Sequence, residues 1–453
     1  MGGEFGTLTS YLLDAVNLAA GNLDVPGGSV FSGLQIPGMK WTNTALGSAL
    51  RSAYRTKRTR VGSFPLVTGY APAALMAKEI TTPPGMGQMK ALFVSAGNPV
   101  LSVPNGNELA SAMAELELSV ALDLYVTETT GLCDYILPVT TMYERDDFAL
   151  TFQGFQATAF RQTTEAVVTP RGDARGEWEI FDDLMGRLAG HAPMFAVMAV
   201  VRRALRLRGQ ADESPRVLAD AIVRMSEGGG DRFGLRKSGL TFARLTQEHP
   251  HGKVLSDYLP TGVLPSMVAY RGGRRMKLEH DEIRREVDKL SRDDDADEYP
   301  MQLIGMREPK SENSWMHNTS SLMRGERRHR ALMHELDAEP LGGIRDGDRI
   351  TVASRTGGEI EVDVETTKDI VVGVIAIPHG WGGHNGSGTW HLANRARGAN
   401  VNELMSSEIT DVESLSGMSR LTGVPVRVAR AELNSGRGGH HDWPAARHPG
   451  TGQ

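Results

Sequence analysis

Cysteine is nearly absent from this sequence, since Cys133 is the only one among 453 residues. A single cysteine excludes a disulfide within the chain, a zinc site built on cysteines and an iron–sulfur cluster held by this chain alone. Cys133 stands among apolar residues beside a predicted strand. That setting is typical of a buried and unreactive thiol.

Long apolar segments and excess positive charge are also missing. The longest apolar run, Ala192 to Val201, is too short to span a bilayer and leads into Arg202. The N-terminus lacks the charged-then-apolar pattern of a signal peptide. The net charge of −6 disfavours a general affinity for nucleic acid. The sequence therefore predicts a soluble cytoplasmic protein of roughly two to four domains, with no membrane span and no nucleic-acid partner.

The common phosphate-binding fingerprints, GxGxxG and GxxxxGK[ST], do not occur either. Even so, the apolar run over 89–94 leads into SAGNPVLSVPNGNE (residues 95–108), which has the character of a nucleotide-site rim. Gly97 would allow close backbone approach, Asn98 offers amide donors and an acceptor, and Pro99 fixes the chain as it leaves the strand. An ordinary strand-to-turn exit is the alternative interpretation.

The region that follows has the pattern of an α/β unit. Apolar runs predict strands over 90–95, 118–124 and 134–138, and a helical period predicts a helix over 107–116. Strands separated by such a helix indicate parallel pairing with a right-handed crossover, and ligands bind beyond the carboxyl ends of strands in such sheets. A second rim is therefore expected at Asp123, Thr127, Glu128 and Thr129, although Thr-Glu-Thr is also a good helix cap.

Helical periods elsewhere predict helices over 7–20, 177–188 and 192–208. In the first of these, Leu8, Leu12, Ala15, Val16 and Ala19 fall on one face. Residues 23–88 are interpreted as loops and short helices, and the charged stretch over 209–298 as a solvated helix and linker.

After residue 299 the period changes to two. Strands are predicted over 349–354, 359–364 and 372–378, with turn signals at 346–348 and 355–358 between them. These features indicate a compact β unit, in the form of a barrel. The tail from Asn434 has no core-forming pattern and is predicted to be disordered.

Four blocks, taken in order, resemble the molybdopterin oxidoreductase family, the group of the dimethyl sulfoxide reductases and formate dehydrogenases. They are MKALFVSAGNPVLSVPN with LELSVALDLYVTETTGLCDYILPVTTMYERDD, then LIGMREPKSENSWMHN, then LDAEPLGGIRDGDRITVASRTGGEIEVDVETTKDIVVGVIAIPHGWGG, and last GANVNELMSSEITDVESLSGMSRLTGVPVRV. The resemblance covers residues 5–35, 88–188 and 235–430. GNP is a weak signal by itself, whereas four blocks in the family's order are a strong one.

The resemblance implies an α/β fold, in which a parallel-sheet Rossmann-like domain precedes a C-terminal double-psi β-barrel-like domain. The implied segments are a remnant of a central α/β domain with connecting loops (1–87), an α/β dinucleotide-binding domain (88–190), a helical connector (191–298), a molybdopterin dinucleotide-binding barrel (299–431) and a disordered tail (432–453).

The resemblance also implies a cofactor and partners. The family cofactor is molybdenum held by two molybdopterin guanine dinucleotides (bis-MGD). The family's upstream half, which carries the molybdenum ligand and often the cysteines of a 4Fe-4S cluster, is not found in this sequence. The chain is therefore expected to be incomplete alone and to need an upstream half or partner subunit, a small-molecule substrate and an unidentified electron-transfer partner.

The resemblance assigns cofactor contacts to the polar loops, in addition to Gly97, Asn98 and Pro99. Asp123 would accept the two donors of the guanine edge, while Thr127, Glu128 and Thr129 would bond ribose or phosphate. The barrel contacts would come from Gly305, Arg307, Asn313, Ser314, His317, Asn318, His379, Gly380, Trp381, Asn400 and Asn402. Trp381 would either stack on a pterin or plug the loop. No catalytic residue and no metal ligand are assigned.

Some of these residues also have a purely structural interpretation. His317 alone is more typical of a buried histidine with satisfied hydrogen bonds, and residues 378–388 could be a mobile glycine loop. The spacing of His379, His384 and His391 does not suit zinc. For the whole chain, the alternatives to part of an oxidoreductase are a non-catalytic cofactor-binding or structural module and, last, an ordinary nucleotide-binding α/β enzyme.

Overall fold

The computed structural model describes most of the chain. The described residues are 2–31, 52–67, 69–82, 87–149, 152, 156, 158–188, 215–226, 229–259, 261–262, 264, 276–290, 298–325, 327–356, 358–383, 390–396 and 398–431. The helix predicted over 192–208 and the predicted tail lie outside these residues.

Nine α-helices have both of their ends within the described residues, and several of them are short. They are α1 (Gly6–Ala19), α2 (Met76–Thr81), α3 (Pro99–Ser102), α4 (Gly106–Met113), α5 (Glu177–Leu188), α6 (Pro215–Met225), α7 (Phe242–Glu248), α8 (Asp281–Lys289) and α9 (Glu335–Ala338). None of these described helices has the length and apolar content needed to cross a bilayer. The prediction of a helix over 177–188 is confirmed by α5.

Eleven β-strands occur in the same residues. They are β1 (Ala91–Ser95), β2 (Leu118–Asp123), β3 (Tyr135–Pro138), β4 (Ala159–Arg161), β5 (Lys253–Ser256), β6 (Met301–Met306), β7 (Arg330–His334), β8 (Arg349–Ser354), β9 (Glu359–Thr367), β10 (Val374–Pro378) and β11 (Val424–Arg430).

Strands β1, β2 and β3 form a sheet in that order, called the small sheet below. β1 and β2 are parallel, with Ala91 opposite Leu118 and Ser95 opposite Leu122, and α3 and α4 connect them. One face packs against α2 and α4 through a core that includes Ile80, Leu109, Met113 and Ala121. The predicted parallel α/β unit is therefore confirmed, while the Rossmann-like topology stays a prediction.

Six strands close into a barrel in the order β10-β6-β11-β8-β9-β7. The β10–β6 and β7–β9 pairs are parallel, and the other pairs are antiparallel. The interior holds fully buried side chains such as Leu303, Met333, Ile350, Val364 and Val426. The predicted barrel is confirmed, and β8 agrees with its prediction residue for residue. The double-psi topology stays a prediction.

The chain divides into two compact units. The first comprises Met1–Ser10, Leu50–Leu137 and Asp281–Gln453, and therefore contains both the small sheet and the barrel. The second comprises Tyr11–Ala49 and Pro138–His280. Within it, β4 pairs antiparallel with β5, and Val223, Leu240 and Leu245 form a core. The predicted segment boundaries stay predictions.

One sequence interpretation is confirmed and one needs correction. α1 forms where a helix is predicted, but of its predicted apolar face only Leu8 is buried, while Leu12 is 45% and Val16 66% exposed. Periodicity identifies an apolar face but not whether another element covers it. The strand β5 lies in a stretch interpreted as a helical connector, because its four residues are too short to give a clear period.

Candidate functional site

The ends of β1 and β2 are joined by a polar network. The Asn98 Nδ2 donates to Glu128 Oε2 at 2.6 Å, and Asn98 Oδ1 accepts hydrogen bonds from the hydroxyl and backbone N–H of Thr129 at 2.7 and 3.3 Å. Thr129 Oγ1 in turn accepts from the Val100 N–H at 2.9 Å. Glu128 and Thr129 are buried. The Asn98 amide, which the sequence offers to a ligand, is therefore engaged by the protein itself.

The neighbouring rim residues have looser surroundings. A β-carbon at Gly97 would meet no atom closer than 3.7 Å, so nothing in the folded chain requires glycine there. Ala96 has a φ of +50°, which is sterically unfavourable for alanine. Pro99 begins α3, and Asp123 Oδ1 accepts hydrogen bonds from the N–H groups of Leu124 and Tyr125 at 2.6 and 3.4 Å. Strained backbone and an uncrowded glycine meet where β1 ends.

Thr127 lies inside the turn after β2 and is buried. Its N–H donates to Thr130 Oγ1 at 2.7 Å. This bond closes the 127–130 turn on itself. The Thr127 hydroxyl accepts from the Thr130 N–H at 3.3 Å, as a capping side chain does. Thr129, at the N-cap of the short 3-10 helix Thr130–Leu132, makes no side-chain capping bond and instead ties the turn to Asn98.

In the barrel, β6 and β10 run parallel and end side by side, with Met306 opposite Pro378. The two loops that follow, 307–318 and 379–383, are in backbone contact. Gly380 has a φ of +85°, and a β-carbon on it would lie 1.9 Å from the Asn313 carbonyl oxygen. Gly382, with a φ of +86°, likewise leaves 2.4 Å between its missing β-carbon and the Asn400 nitrogen. Gly380 thus fixes these two loops together, and Gly382 fixes the second loop to the segment at Asn400.

Trp381 plugs the space between the loops. It is 1% exposed, and its Nε1 donates to Glu308 Oε2 at 2.7 Å. Its ring stacks on His329 at 5.4 Å and lies 4.4 Å from the His317 ring, centroid to centroid. Arg327 pairs with Glu308 at 3.0 Å and lies over the Trp381 ring. The plugging alternative therefore fits, and the ring is not accessible for stacking on a ligand.

His317 has a nitrogen without a partner. The side chain is 3% exposed, and Nε2 is buried with no hydrogen-bond partner. Burial, followed by the positive charge of Arg327, lowers the pKa of His317 to about 4, so the ring is neutral at pH 7. Because the Gly380 backbone hydrogen-bonds the ring and Nε2 does not take part, we assign the proton to Nδ1. Nε2 is then a buried acceptor that lacks a donor.

Three residues of this cluster were not found from the sequence, namely Glu308, Arg327 and His329. His329 is buried, its Nε2 donates to the Pro378 carbonyl at 2.9 Å, and its Nδ1 accepts from the Ala399 N–H at 3.1 Å. Desolvation by burial lowers its pKa to about 4. The sequence gives little signal for these residues, because charged and histidine residues next to the end of a strand are usually solvated.

Among the remaining barrel residues, some are exposed and others form hydrogen bonds within the chain. Arg307 is exposed, and His379 beside it is half-buried with a pKa lowered by desolvation and then by the Arg307 charge. Asn318 Oδ1 accepts from the Leu392 N–H at 3.1 Å. A β-carbon on Gly305 would meet no atom closer than 3.7 Å. Ser314 precedes the short 3-10 helix Trp315–Asn318 and accepts from the His317 N–H through its carbonyl.

Asn400 and Asn402 act on the backbone. Asn400 Oδ1 accepts from the Asn402 N–H at 3.0 Å, and Asn402 Nδ2 donates to the Leu101 carbonyl at 2.9 Å. The Asn402 carbonyl accepts from the Asn105 N–H at 3.2 Å. These bonds link the barrel to the α3–α4 segment of the small sheet, within the same compact unit.

The barrel loops and the strand ends of the small sheet converge. A β-carbon on Gly383 would lie 2.6 Å from Glu128 Oε1, and the rings of Tyr125 and Trp390 are 5.0 Å apart. The Trp390 Nε1 is buried without a hydrogen-bond partner. The described residues contain no cluster of histidine, cysteine and carboxylate groups able to hold a metal ion, and His384 lies outside them. The arrangement suits a long polar ligand with both donors and acceptors.

Two stretches of this chain match known families. Residues 14–187 match the family described as Molybdopterin oxidoreductase, and residues 301–420 match the Molydopterin dinucleotide binding domain. The chain belongs to the molybdopterin oxidoreductase family.

Individual relatives agree with this assignment. The chain is 30% identical over 177 residues to the probable oxidoreductase YyaE of Bacillus subtilis, which is 39% of this chain and 24% of that protein. It is 26% identical over 312 residues to the acetylene hydratase of Syntrophotalea acetylenica, or 68% of this chain and 39% of that protein. The trimethylamine-N-oxide reductase of Haemophilus influenzae is 23% identical over 313 residues, or 67% and 36%.

The fold is also similar to a solved structure. Acetylene hydratase from Pelobacter acetylenicus superposes with a TM-score of 0.53 at 21% identity, over 88% of this chain and 51% of that one. The chain thus spans about a quarter to two-fifths of the three curated relatives named above and about half of the similar structure.

Proposed function

We propose that this chain binds the guanine dinucleotide ends of a bis-pterin molybdenum cofactor, as one part of a molybdopterin-dependent oxidoreductase. The observation that carries the proposal is the meeting of Gly383 with Glu128. This contact puts the polar loops of the barrel beside the strand ends of the small sheet. A ligand that extends from one to the other would find polar groups along its whole length.

The available donors and acceptors fit such a ligand. Gly97 leaves its backbone uncrowded for a diphosphate, and the exposed Arg307 offers a forked cation. The Asp123 carboxylate would accept the paired donors of guanine. His317 Nε2, a neutral acceptor without a donor, would suit an amino group of a pterin. An unsatisfied buried acceptor costs about 1–3 kcal/mol, which a ligand donor would offset.

In this proposal, some polar residues contact the cofactor, and others only hold the loops in position. Asn98, Thr129, Trp381 and Glu308 bond one another or the backbone, so they orient the loops without touching the ligand. When bound, the cofactor would supply two-electron redox chemistry toward a small substrate. No described residue is assigned a proton-transfer role.

The molybdenum ligand would come from another polypeptide segment. Burial raises the pKa of the Cys133 thiol to about 11, so this cysteine is a poor candidate for a thiolate ligand. A partner segment or subunit with that ligand, and with any 4Fe-4S cluster, completes the proposed enzyme.

The test is to isolate the protein from cells that make the cofactor and to measure molybdenum, together with GMP released by acid. We expect GMP in the native protein and a loss of most of it in Asp123→Asn, which replaces one carboxylate oxygen by a competing donor. Glu359→Gln, an exposed change on β9, is the control. Native protein without GMP, purified together with its partners, would support the alternative of a non-catalytic module.

A further inference from the structure

The proposed cofactor site contains a buried hydrogen-bond donor that has no role in the function proposed above. Trp390 is 1% exposed, and its indole Nε1 has no hydrogen-bond partner. An indole N–H can only donate, and buried tryptophans usually find an acceptor for it. A phenylalanine would fill space without leaving a donor unpaired. Packing alone therefore does not account for a tryptophan at this position.

Packing does fix where the N–H lies. The Trp390 ring is 5.0 Å from the Tyr125 ring, centroid to centroid, and Tyr125 stands in the turn after β2. A β-carbon on Gly383 would lie 3.5 Å from Trp390 Nε1 and 2.6 Å from Glu128 Oε1. Both atoms are therefore close to one point beside Gly383. The unpaired donor lies at the junction of the barrel loop with the small sheet, which the cofactor would occupy.

The two groups at this point select the chemistry of a ligand group. Trp390 supplies a donor, whereas the Glu128 carboxylate supplies an acceptor and a negative charge. A phosphate oxygen would accept from the indole but would be repelled by the carboxylate. An ammonium group would bond the carboxylate but could not accept from the indole. A hydroxyl group suits both, because its oxygen accepts one hydrogen bond and its proton is donated in another.

We propose that Trp390 Nε1 donates to a ribose hydroxyl of the guanine dinucleotide, and that the same hydroxyl donates to Glu128. The proposal rests on the function proposed above. In parallel sheets that bind dinucleotides, an acidic side chain commonly accepts from a ribose hydroxyl. Glu128, which follows β2, supplies the acceptor, and Trp390 adds a donor from the barrel side. Trp390 is thus a binding residue that orients the ribose.

Calorimetric titration of the full chain, prepared from cells that do not make the cofactor, tests the proposal with two nucleotides. GDP carries both ribose hydroxyls, and 2′,3′-dideoxy-GDP lacks them. In one variant β-(3-benzothienyl)alanine replaces Trp390, which keeps the bicyclic shape but puts sulfur in place of the N–H. Trp390→Phe is a second variant. The benzothienyl replacement at Trp178, which is 39% exposed on α5, is the control.

We expect the native chain to bind GDP about three- to tenfold more tightly than the dideoxy nucleotide, because the hydrogen-bonded hydroxyl is lost. Both Trp390 variants should lose most of this preference, and the Trp178 control should keep it. Weaker binding of both nucleotides with the preference unchanged would assign Trp390 to packing. Unchanged affinities in both variants would assign its N–H to a buried water. Either result, or a native chain without the preference, overturns the proposal.

GMP content of the same proteins, made in cofactor-producing cells, is a second measurement that does not depend on GDP. The benzothienyl protein at position 390 should retain less GMP per chain than the one at position 178. Equal GMP contents would contradict the role of Trp390 and leave the proposed function intact. Native protein without GMP would contradict the proposed function itself, and the role of Trp390 with it.

Discussion

Gly380 lies so close to Asn313 that a β-carbon on the glycine would be 1.9 Å from the asparagine carbonyl oxygen. This contact joins the loops after β6 and β10, and through Gly383 it extends to the turn after β2. Backbone packing of this kind depends on glycine at particular positions. The consequences can be separated experimentally into strain from a positive φ and strain from the contact itself.

The first prediction concerns Gly380→Ala. The positive φ alone should cost about 1–2 kcal/mol, and the contact with Asn313 should add about 1–3 kcal/mol because the loops must separate. Gly342→Ala is the matched control, since Gly342 has a φ of +84° but no atom within 4 Å of its missing β-carbon. Thermal unfolding should show a clearly larger loss of stability for Gly380→Ala. Equal losses would mean that the loops are not in contact.

The second prediction concerns pH. His317 and His329 have pKa values lowered to about 4 in the folded protein, against an ordinary value of 6.5. Between these values the unfolded chain binds more protons than the folded one, so the free energy of unfolding falls as pH decreases from 6.5 through 4. Each histidine should contribute a slope of up to about 1.4 kcal/mol per pH unit.

Urea denaturation at a series of pH values between 7.5 and 4.5 measures this slope. His329→Gln should be less stable at pH 7.5, because it disturbs two hydrogen bonds, but should lose less stability on acidification. His251→Gln, a change at an exposed histidine, is the control and should keep the native slope. A His329→Gln variant with the native pH dependence would show that the buried ring does not govern acid stability.

The pattern of strands was accessible from sequence because it is local. Alternation over 349–354 identifies β8, and the apolar run at 90–95 identifies β1 almost to the residue. The site was accessible only in outline. Asn98 looks like a ligand group in the sequence, but its partners are 30 and 31 residues away, and no local pattern indicates that they satisfy its amide.

Trp381 illustrates the same limit in the barrel. The glycines around it suggest a loop open to a ligand, whereas Glu308 lies 73 residues earlier in the chain and holds the indole inside. Exposure of α1 is the converse case, because a helical period appears whether or not another element covers it. Burial and hydrogen bonding are set by contacts distant in sequence.

The third prediction tests the Trp381–Glu308 pair by a double-mutant cycle. Glu308→Ala leaves the buried indole N–H without an acceptor and should cost about 2–3 kcal/mol, whereas Glu308→Gln keeps an acceptor and should cost less. In Trp381→Phe the donor is absent, so adding Glu308→Ala should cost less than it does in the native protein. Denaturation of the four proteins should give a coupling energy of about 1–2 kcal/mol. Simple additivity would contradict the hydrogen bond.

The fourth prediction concerns the single thiol. Burial, assisted by the negative charge of Asp134, raises the pKa of Cys133 to about 11. The folded protein should therefore react slowly with Ellman's reagent at pH 8, and urea should release one reactive thiol per chain. Cys133→Ala is the blank for this assay. Rapid reaction in the absence of urea would show that the thiol is accessible and would restore it as a candidate reactive group.

The fifth prediction concerns Thr129, whose hydroxyl connects the two strand ends by donating to Asn98 Oδ1 and accepting from the Val100 N–H. Thr129→Val preserves the shape of the side chain but removes the hydroxyl to which Asn98 Oδ1 and the Val100 N–H are hydrogen-bonded. This substitution should destabilise the protein by about 1–3 kcal/mol. Thr81→Val is the matched control, because the Thr81 hydroxyl only donates to the Ala77 carbonyl within α2. Its loss should cost little, since that carbonyl keeps its other partners.

Because Thr129 orients Asn98 and Glu128 toward the Gly383 loop, Thr129→Val should also lower GMP content in protein from cofactor-producing cells, whereas Thr81→Val should not. Native GMP content in a destabilised Thr129→Val protein would show that the network supports the fold without shaping the site.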